Sequence, residues 1–87
     1  MWSFDTTDKY ENEYAGLSSD LQKMVDDALA NLSSAEYPQR LGQFKKSFRV
    51  FAYRVSDNCR IIYNVKYDNK IIELIRVGDH KAVYGKD

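Results

Sequence analysis

Residues 48–84 read FRVFAYRVSDNCRIIYNVKYDNKIIELIRVGDHKAVY, and their pattern decides the fold. Three runs rich in Val, Ile, Phe and Tyr, roughly Phe48–Val55, Arg60–Val65 and Ile71–Val77, are separated by Ser56-Asp57-Asn58 and Tyr67-Asp68-Asn69-Lys70. β-Branched and aromatic residues suit the half-buried surface of a sheet, and Asn and Asp tolerate the positive φ of tight turns. Links this short force neighbouring strands to run antiparallel, so the segment is expected to be a meander. Arginines recur on these otherwise apolar strands at Arg49, Arg54, Arg60 and Arg76, and His80 and Tyr84 follow. A guanidinium stays charged at any ordinary pH, so several on one sheet point to an anionic partner, nucleic-acid phosphate foremost.

The meander is preceded by helical periodicity. Ser19 with Gln22 has the spacing of a capping box. Leu21, Met24, Val25, Ala28, Leu29 and Leu32 then form one apolar stripe at i, i+3, i+4, i+7 spacing. Before it, Tyr10, Tyr14 and Leu17 predict a first helix of about three turns, capped within Asp5-Thr6-Thr7 and stopping near Gly16. Trp2-Ser3-Phe4 reads as a short strand. Residues 33–47, SSAEYPQRLGQFKKS, contain the only Pro and read as a connecting loop. The sum is one α+β domain over residues 1–87. An N-terminal strand and a two-helix hairpin precede a three-strand antiparallel meander that completes a four-stranded sheet.

At 87 residues the core is small, because a chain this short buries only about 60% of the surface its unfolded form exposes. Hydrophobic content of 44% nonetheless suits a folded globule. The net charge of zero hides a division. Residues 1–40 carry eight acidic and three basic side chains, and residues 41–87 carry five acidic and ten basic. An acidic helical side and a basic sheet side would steer an anion to one face. The single Cys59 rules out an intramolecular disulfide. The apolar runs are too short for a membrane span, and the acidic N-terminus lacks a signal peptide's apolar core. The expected location is the cytoplasm.

Strict alternation puts Ile61, Tyr63 and Val65 on one face of their strand, with Arg60, Ile62 and Asn64 on the other. In the last strand it sets Ile71, Glu73, Ile75 and Val77 against Ile72, Leu74 and Arg76. The hairpin must bury its stripe on one face, so Arg54, Arg60 and Arg76 are expected on the open face or its rim. The residues leave two roles open for Arg60: a phosphate ligand, or an internal ion-pair partner of Glu73 or Asp57. Lys45-Lys46 reads equally as a solvated pair or as a backbone-phosphate contact. No phosphate-binding glycine loop is present, and one Cys and one His cannot build a structural zinc site. Cys59 reads as a small packing residue.

Tyr53–Tyr63, YRVSDNCRIIY, and Ile75–Tyr84, IRVGDHKAVY, together with Trp2-Ser3-Phe4 ahead of the first helix, resemble the RelE/ParE toxin superfamily across essentially the whole chain. The resemblance implies a RelE-like endoribonuclease that cuts mRNA on the ribosome without metal or cofactor, a growth-arresting toxin. It implies a monomeric toxin held inactive by a cognate antitoxin in a hetero-oligomeric complex, with no membrane partner. Attack of a 2′-OH on its own phosphate needs a proton acceptor, a proton donor and cations around the dianionic transition state. Arg60 and Arg54 fit the last role. His80 is the natural acid or base, and Tyr84 could stack on a base or assist proton transfer. Lys45, Lys46, Arg49, Arg76 and Lys81 are the expected RNA contacts. RelE-type ribonucleases place lysines where this chain has Val50 and Ala52, so that part of the pattern does not carry over. Two other readings stay open: a ParE-like inhibitor of DNA gyrase, and a non-catalytic RNA-binding module.

Overall fold

A computed structural model of the protein describes residues 1–79. In chain order it contains β1 (Ser3–Thr6), α1 (Asp8–Ala15), α2 (Ser19–Ser34), a 3-10 turn (Pro38–Arg40), β2 (Gln43–Lys45), β3 (Val50–Arg54), β4 (Cys59–Lys66) and β5 (Ile71–Asp79). The strands form one mixed sheet in the order β1-β5-β4-β3-β2. β1 runs parallel to β5, and every other pairing is antiparallel. The α+β architecture and the meander match expectation, but the sheet has five strands where four were expected. The extra strand, Gln43-Phe44-Lys45, lies inside the segment read as a loop. It pairs with Val50–Ala52 and places Phe44 against Phe51, ring centroids 5.2 Å apart.

Local chemistry sets the helix ends. Thr7 caps α1, its hydroxyl accepting from the Tyr10 N–H at 3.0 Å and donating to the Ile75 carbonyl at 2.7 Å. One side chain therefore satisfies a helix terminus and ties it to β5. α1 spans 8 residues, shorter than expected, and stops at Gly16. Ser18 caps α2 in place of Ser19, accepting from the Leu21 N–H at 3.2 Å. The Gln22 amide instead donates to the Tyr14 carbonyl at 2.9 Å, joining the two helices. At the far end of α2, Trp2 is held through its N–H to the Ser33 carbonyl and its indole N–H to the Ala35 carbonyl, both at 3.0 Å.

The α2 stripe buries Val25, Ala28 and Leu32 against Ile61, Tyr63, Val65, Ile72, Leu74 and Val77 on the sheet. Each fully buried aliphatic side chain there contributes about 1.5–3 kcal/mol. Ile72, Leu74 and Val77 share this face only because the strand breaks its alternation. Ile62 pairs with Arg76 while the adjacent Tyr63 pairs with Leu74, leaving Ile75 as a bulge residue. The bulge corrects the strict alternation expected for β5, and it moves Ile75 against Ala52 and Ile62 on the opposite face.

Two turn positions also differ from expectation. Arg49 (φ 57°), read from the sequence as part of a strand, and Lys70 (φ 54°), in a turn where Asp68 and Asn69 were the expected residues, take the left-handed conformation. Gly42 has a firmer requirement. A Cβ there would sit 2.5 Å from the Tyr63 hydroxyl and 2.9 Å from the Ala52 carbonyl. Only glycine lets the chain entering β2 pass this close to the sheet.

Candidate functional site

β3 and β4 bring Arg54 and Arg60 into direct register, so the two side chains leave the same face of the sheet. That face is the one opposite the helices. The arginines line a groove of about 550 Å³ together with Leu41, Gly42, Gln43, Lys45 and Ala52. Lys45 comes from β2, the strand that sequence reasoning missed, and its Nζ lies 3.4 Å from the Gln43 side-chain oxygen. Three cationic residues from three neighbouring strands thus surround one solvent-open hollow. Ala52 and Gly42 provide its small-residue floor.

Like charges directly opposite on a sheet repel, so this juxtaposition needs compensation. The β3–β4 turn supplies it. Arg54 forms an ion pair with the Asp57 carboxylate, both side chains being well exposed. Arg60 donates from Nη1 to the carbonyls of Ser56 (2.6 Å), Asp57 (3.2 Å) and Cys59 (3.2 Å). Arg60 is therefore not the ion-pair partner of Glu73 or Asp57 that one reading of the sequence allowed. Main-chain dipoles hold its position without neutralising its charge. Its register partner on β5 is Gly78, at φ 146°, which itself places no side chain beside the guanidinium.

Arg76 behaves differently. Its Nε and Nη2 donate to Glu13 at 3.2 and 2.6 Å, and Glu13 also accepts from the Val77 N–H at 3.2 Å. The pair is about three-quarters buried. The expectation that Arg76 joins the arginines of the groove is not met, because a carboxylate in the last turn of α1 holds it. Glu13 itself went unnoticed in the sequence: an acid near a helix C-terminus opposes the helix dipole, which is a weak signal that it has another partner. Lys46 and Arg49 are exposed on the turn between β2 and β3, outside the groove lining. His80, Lys81 and Tyr84 lie outside the described residues.

Burial pushes the Cys59 thiol up, only partly offset by Arg60 and the Gly78 amide, so the thiolate needed for nucleophilic attack is disfavoured. Burial also raises the Tyr63 phenol, to about 12, with the Gly42 amide opposing. Tyr63 donates to the Pro38 carbonyl at 2.8 Å, bracing the chain that forms the groove wall. Among the described residues, no group of three or more His, Cys, Asp or Glu could hold a metal ion, and no helix is long and apolar enough to cross a membrane. What the groove can do is bind and stabilise an anion.

Comparison with known proteins gives a family match and a set of shared folds. Residues 5–84 match the family described as ParE toxin of type II toxin-antitoxin system, parDE. A free Escherichia coli RelE toxin variant superimposes with a TM-score of 0.78 at 19% identity, covering 98% of this chain and 92% of that one. The Mycobacterium tuberculosis RelBE2 toxin–antitoxin complex matches with a TM-score of 0.73 at 17% identity, over 91% and 98%. The archaeal RelE–RelB complex of Pyrococcus horikoshii matches at 0.71 and 13%, over 90% and 93%. At such identities the structural likeness establishes the fold alone. No curated protein matches by sequence.

Proposed function

Because the chain belongs to the ParE toxin family and is a toxin of the type II toxin–antitoxin class, we propose that it acts as a RelE-like endoribonuclease cutting mRNA on the ribosome. The observation that carries this reading is the convergence of Arg54, Arg60 and Lys45 on one open groove. In-line attack of a ribose 2′-OH on the adjacent phosphate builds a pentacoordinate dianion. Preorganised cations stabilise that charge more than they stabilise the ground state, which is how they accelerate the step. Arg60 is the better placed of the two arginines, since backbone carbonyls orient it and leave its charge intact. Arg54 adds a second cation once a phosphate displaces Asp57. His80 and Tyr84 share the two proton transfers in this scheme, one accepting the proton of the 2′-OH and the other donating a proton to the departing 5′-oxygen. Lys46, Arg49 and Lys81 contact the flanking backbone. The scheme requires neither metal nor cofactor.

The antitoxin of this reading covers the groove with acidic side chains in a cytoplasmic hetero-oligomeric complex; the RelBE2 toxin–antitoxin complex and the RelE–RelB complex are among the structures of similar fold. A second reading draws on the family match itself: a ParE-like inhibitor of DNA gyrase would bind a protein target and cleave nothing. Inducible expression followed by mapping of mRNA 5′ ends on stalled ribosomes separates the two. Cleavage confined to the ribosomal A site, and lost in Arg60→Ala and His80→Ala, is the expected result. Growth arrest that persists in those variants together with DNA-damage signalling would overturn it in favour of gyrase.

A further inference from the structure

We propose that a cleft on the helical side of the molecule, remote from the arginine groove, receives a basic side chain of the antitoxin, an arginine or lysine on an otherwise apolar segment. The inference rests on the toxin–antitoxin partnership and is independent of the ribonuclease chemistry. The cleft, of about 310 Å³, opens between β1 and the helical hairpin. That is the lower end of the range for ligand sites, about 300–1,000 Å³, and suits one long side chain. Phe4, Leu29 and Leu74 provide apolar wall for an aliphatic stem.

The remaining lining matches a cationic head. Tyr10 and Tyr14 present stacked rings, centroids 6.2 Å apart and planes 23° apart. A cation within about 6 Å of such a ring is attracted to its face. Glu11 accepts from the Thr6 hydroxyl, and Asp26 accepts from the Tyr14 hydroxyl at 2.8 Å. These neutral donors hold the two carboxylates at the cleft and leave their charges unneutralised. Neither Glu11 nor Asp26 forms an ion pair among the described residues. The Tyr10 hydroxyl in the same wall is buried without a hydrogen-bond partner among those residues.

Charge across the whole hairpin selects the occupant. α1 and α2 carry six carboxylates against Lys9 and Lys23, and among the described residues only Glu13 of these forms an ion pair, with Arg76. RNA is repelled from such a surface. A protein that neutralises the cationic groove with acids would have its orientation fixed by a cation planted on the opposite side, since reversed docking would then bring like charges together.

The test uses the full toxin with the antitoxin encoded beside it. Glu11→Lys/Asp26→Lys changes two exposed helical positions that take no part in the groove. Calorimetric titration at low salt should show antitoxin affinity at least tenfold weaker. Changing the matching antitoxin Lys or Arg to Glu should restore it. Affinity within twofold of wild type overturns the proposal. So does a changed self-association of the toxin by light scattering with antitoxin binding intact, because a second copy would then occupy the cleft. Growth arrest by the variant without antitoxin is expected to equal wild type. If wild type itself cuts no mRNA while the variant still loses the antitoxin, the ribonuclease reading falls and the cleft stands.

Discussion

The two faces of β4 differ more than their sequences do. One buries Cys59, Ile61, Tyr63 and Val65 beneath α2. The other carries Arg60 into an open groove and Ile62 into a small cluster with Val50, Ala52 and Ile75. Successive residues of a single strand thus alternate between holding the fold together and presenting charge. The same residue type splits along this line. Arg76 is satisfied by a carboxylate and acts as a tether, whereas Arg60 is positioned by carbonyls and keeps its charge available. An arginine's role is set by what neutralises it.

Arg60→Ala tests the open face most severely. Losing one preorganised cation at a developing dianion typically costs about 100–1,000-fold in rate. Under the proposed ribonuclease activity, ribosome-dependent mRNA cleavage should fall by about that factor while the melting temperature moves little. A large drop in melting temperature would merge the two faces into one structural unit. Arg76→Ala should show the reverse pattern. It strands the largely buried Glu13 and is expected to cost about 2 kcal/mol, below the 3–5 kcal/mol of fully buried pairs because some solvent reaches this one. The corresponding fall in melting temperature is about 10 °C for a domain of this size. Arg76→Met combined with Glu13→Gln should recover most of it in the same melts.

The closed face has its own signature at alkaline pH. Tyr63 ionises near 12 in the folded protein and near 10 when unfolded. The neutral phenol is therefore favoured by folding, and this stability is complete below about pH 10 and lost as pH rises toward 12. Far-UV circular dichroism across that range should show progressive unfolding. Tyr63→Phe should weaken the pH dependence while costing about 1 kcal/mol at neutral pH through the lost bond to Pro38. The smallest effect belongs to Asp57→Asn, since an exposed ion pair contributes about 0–1 kcal/mol. Stability should hardly change, while under the proposed ribonuclease reading RNA affinity at low salt should rise about threefold as Arg54 loses its competing anion. High salt should erase the gain.

Several of these features were legible before the structure. The α2 stripe, the turn positions and the joint placement of Arg54 and Arg60 follow from periodicity and short links alone. β2 was not, because three residues amid Pro, Gly and Lys give too short an alternation to register. The bulge at Ile75 was hidden because an apolar run reads equally well in either phase. Glu13 and Arg76 stand 63 residues apart, a distance at which no local pattern pairs them. Gly42 was the one overlooked clue to the groove wall. A glycine at the entry to a strand, here between Leu41 and Gln43, can mark a backbone that must pass close to something else.

The parallel pairing of β1 with β5 bears on when the sheet can close. Residues 3–6 are made first, yet their hydrogen-bonding partners are residues 71–74. During synthesis β1 must wait for β5, and the loop this pairing closes is the longest between paired strands of the described sheet. The helical hairpin, made of local contacts, can form well before that. The sheet behind it closes only once β5 has been made, so until then the apolar stripe of α2 waits for the strand residues that cover it.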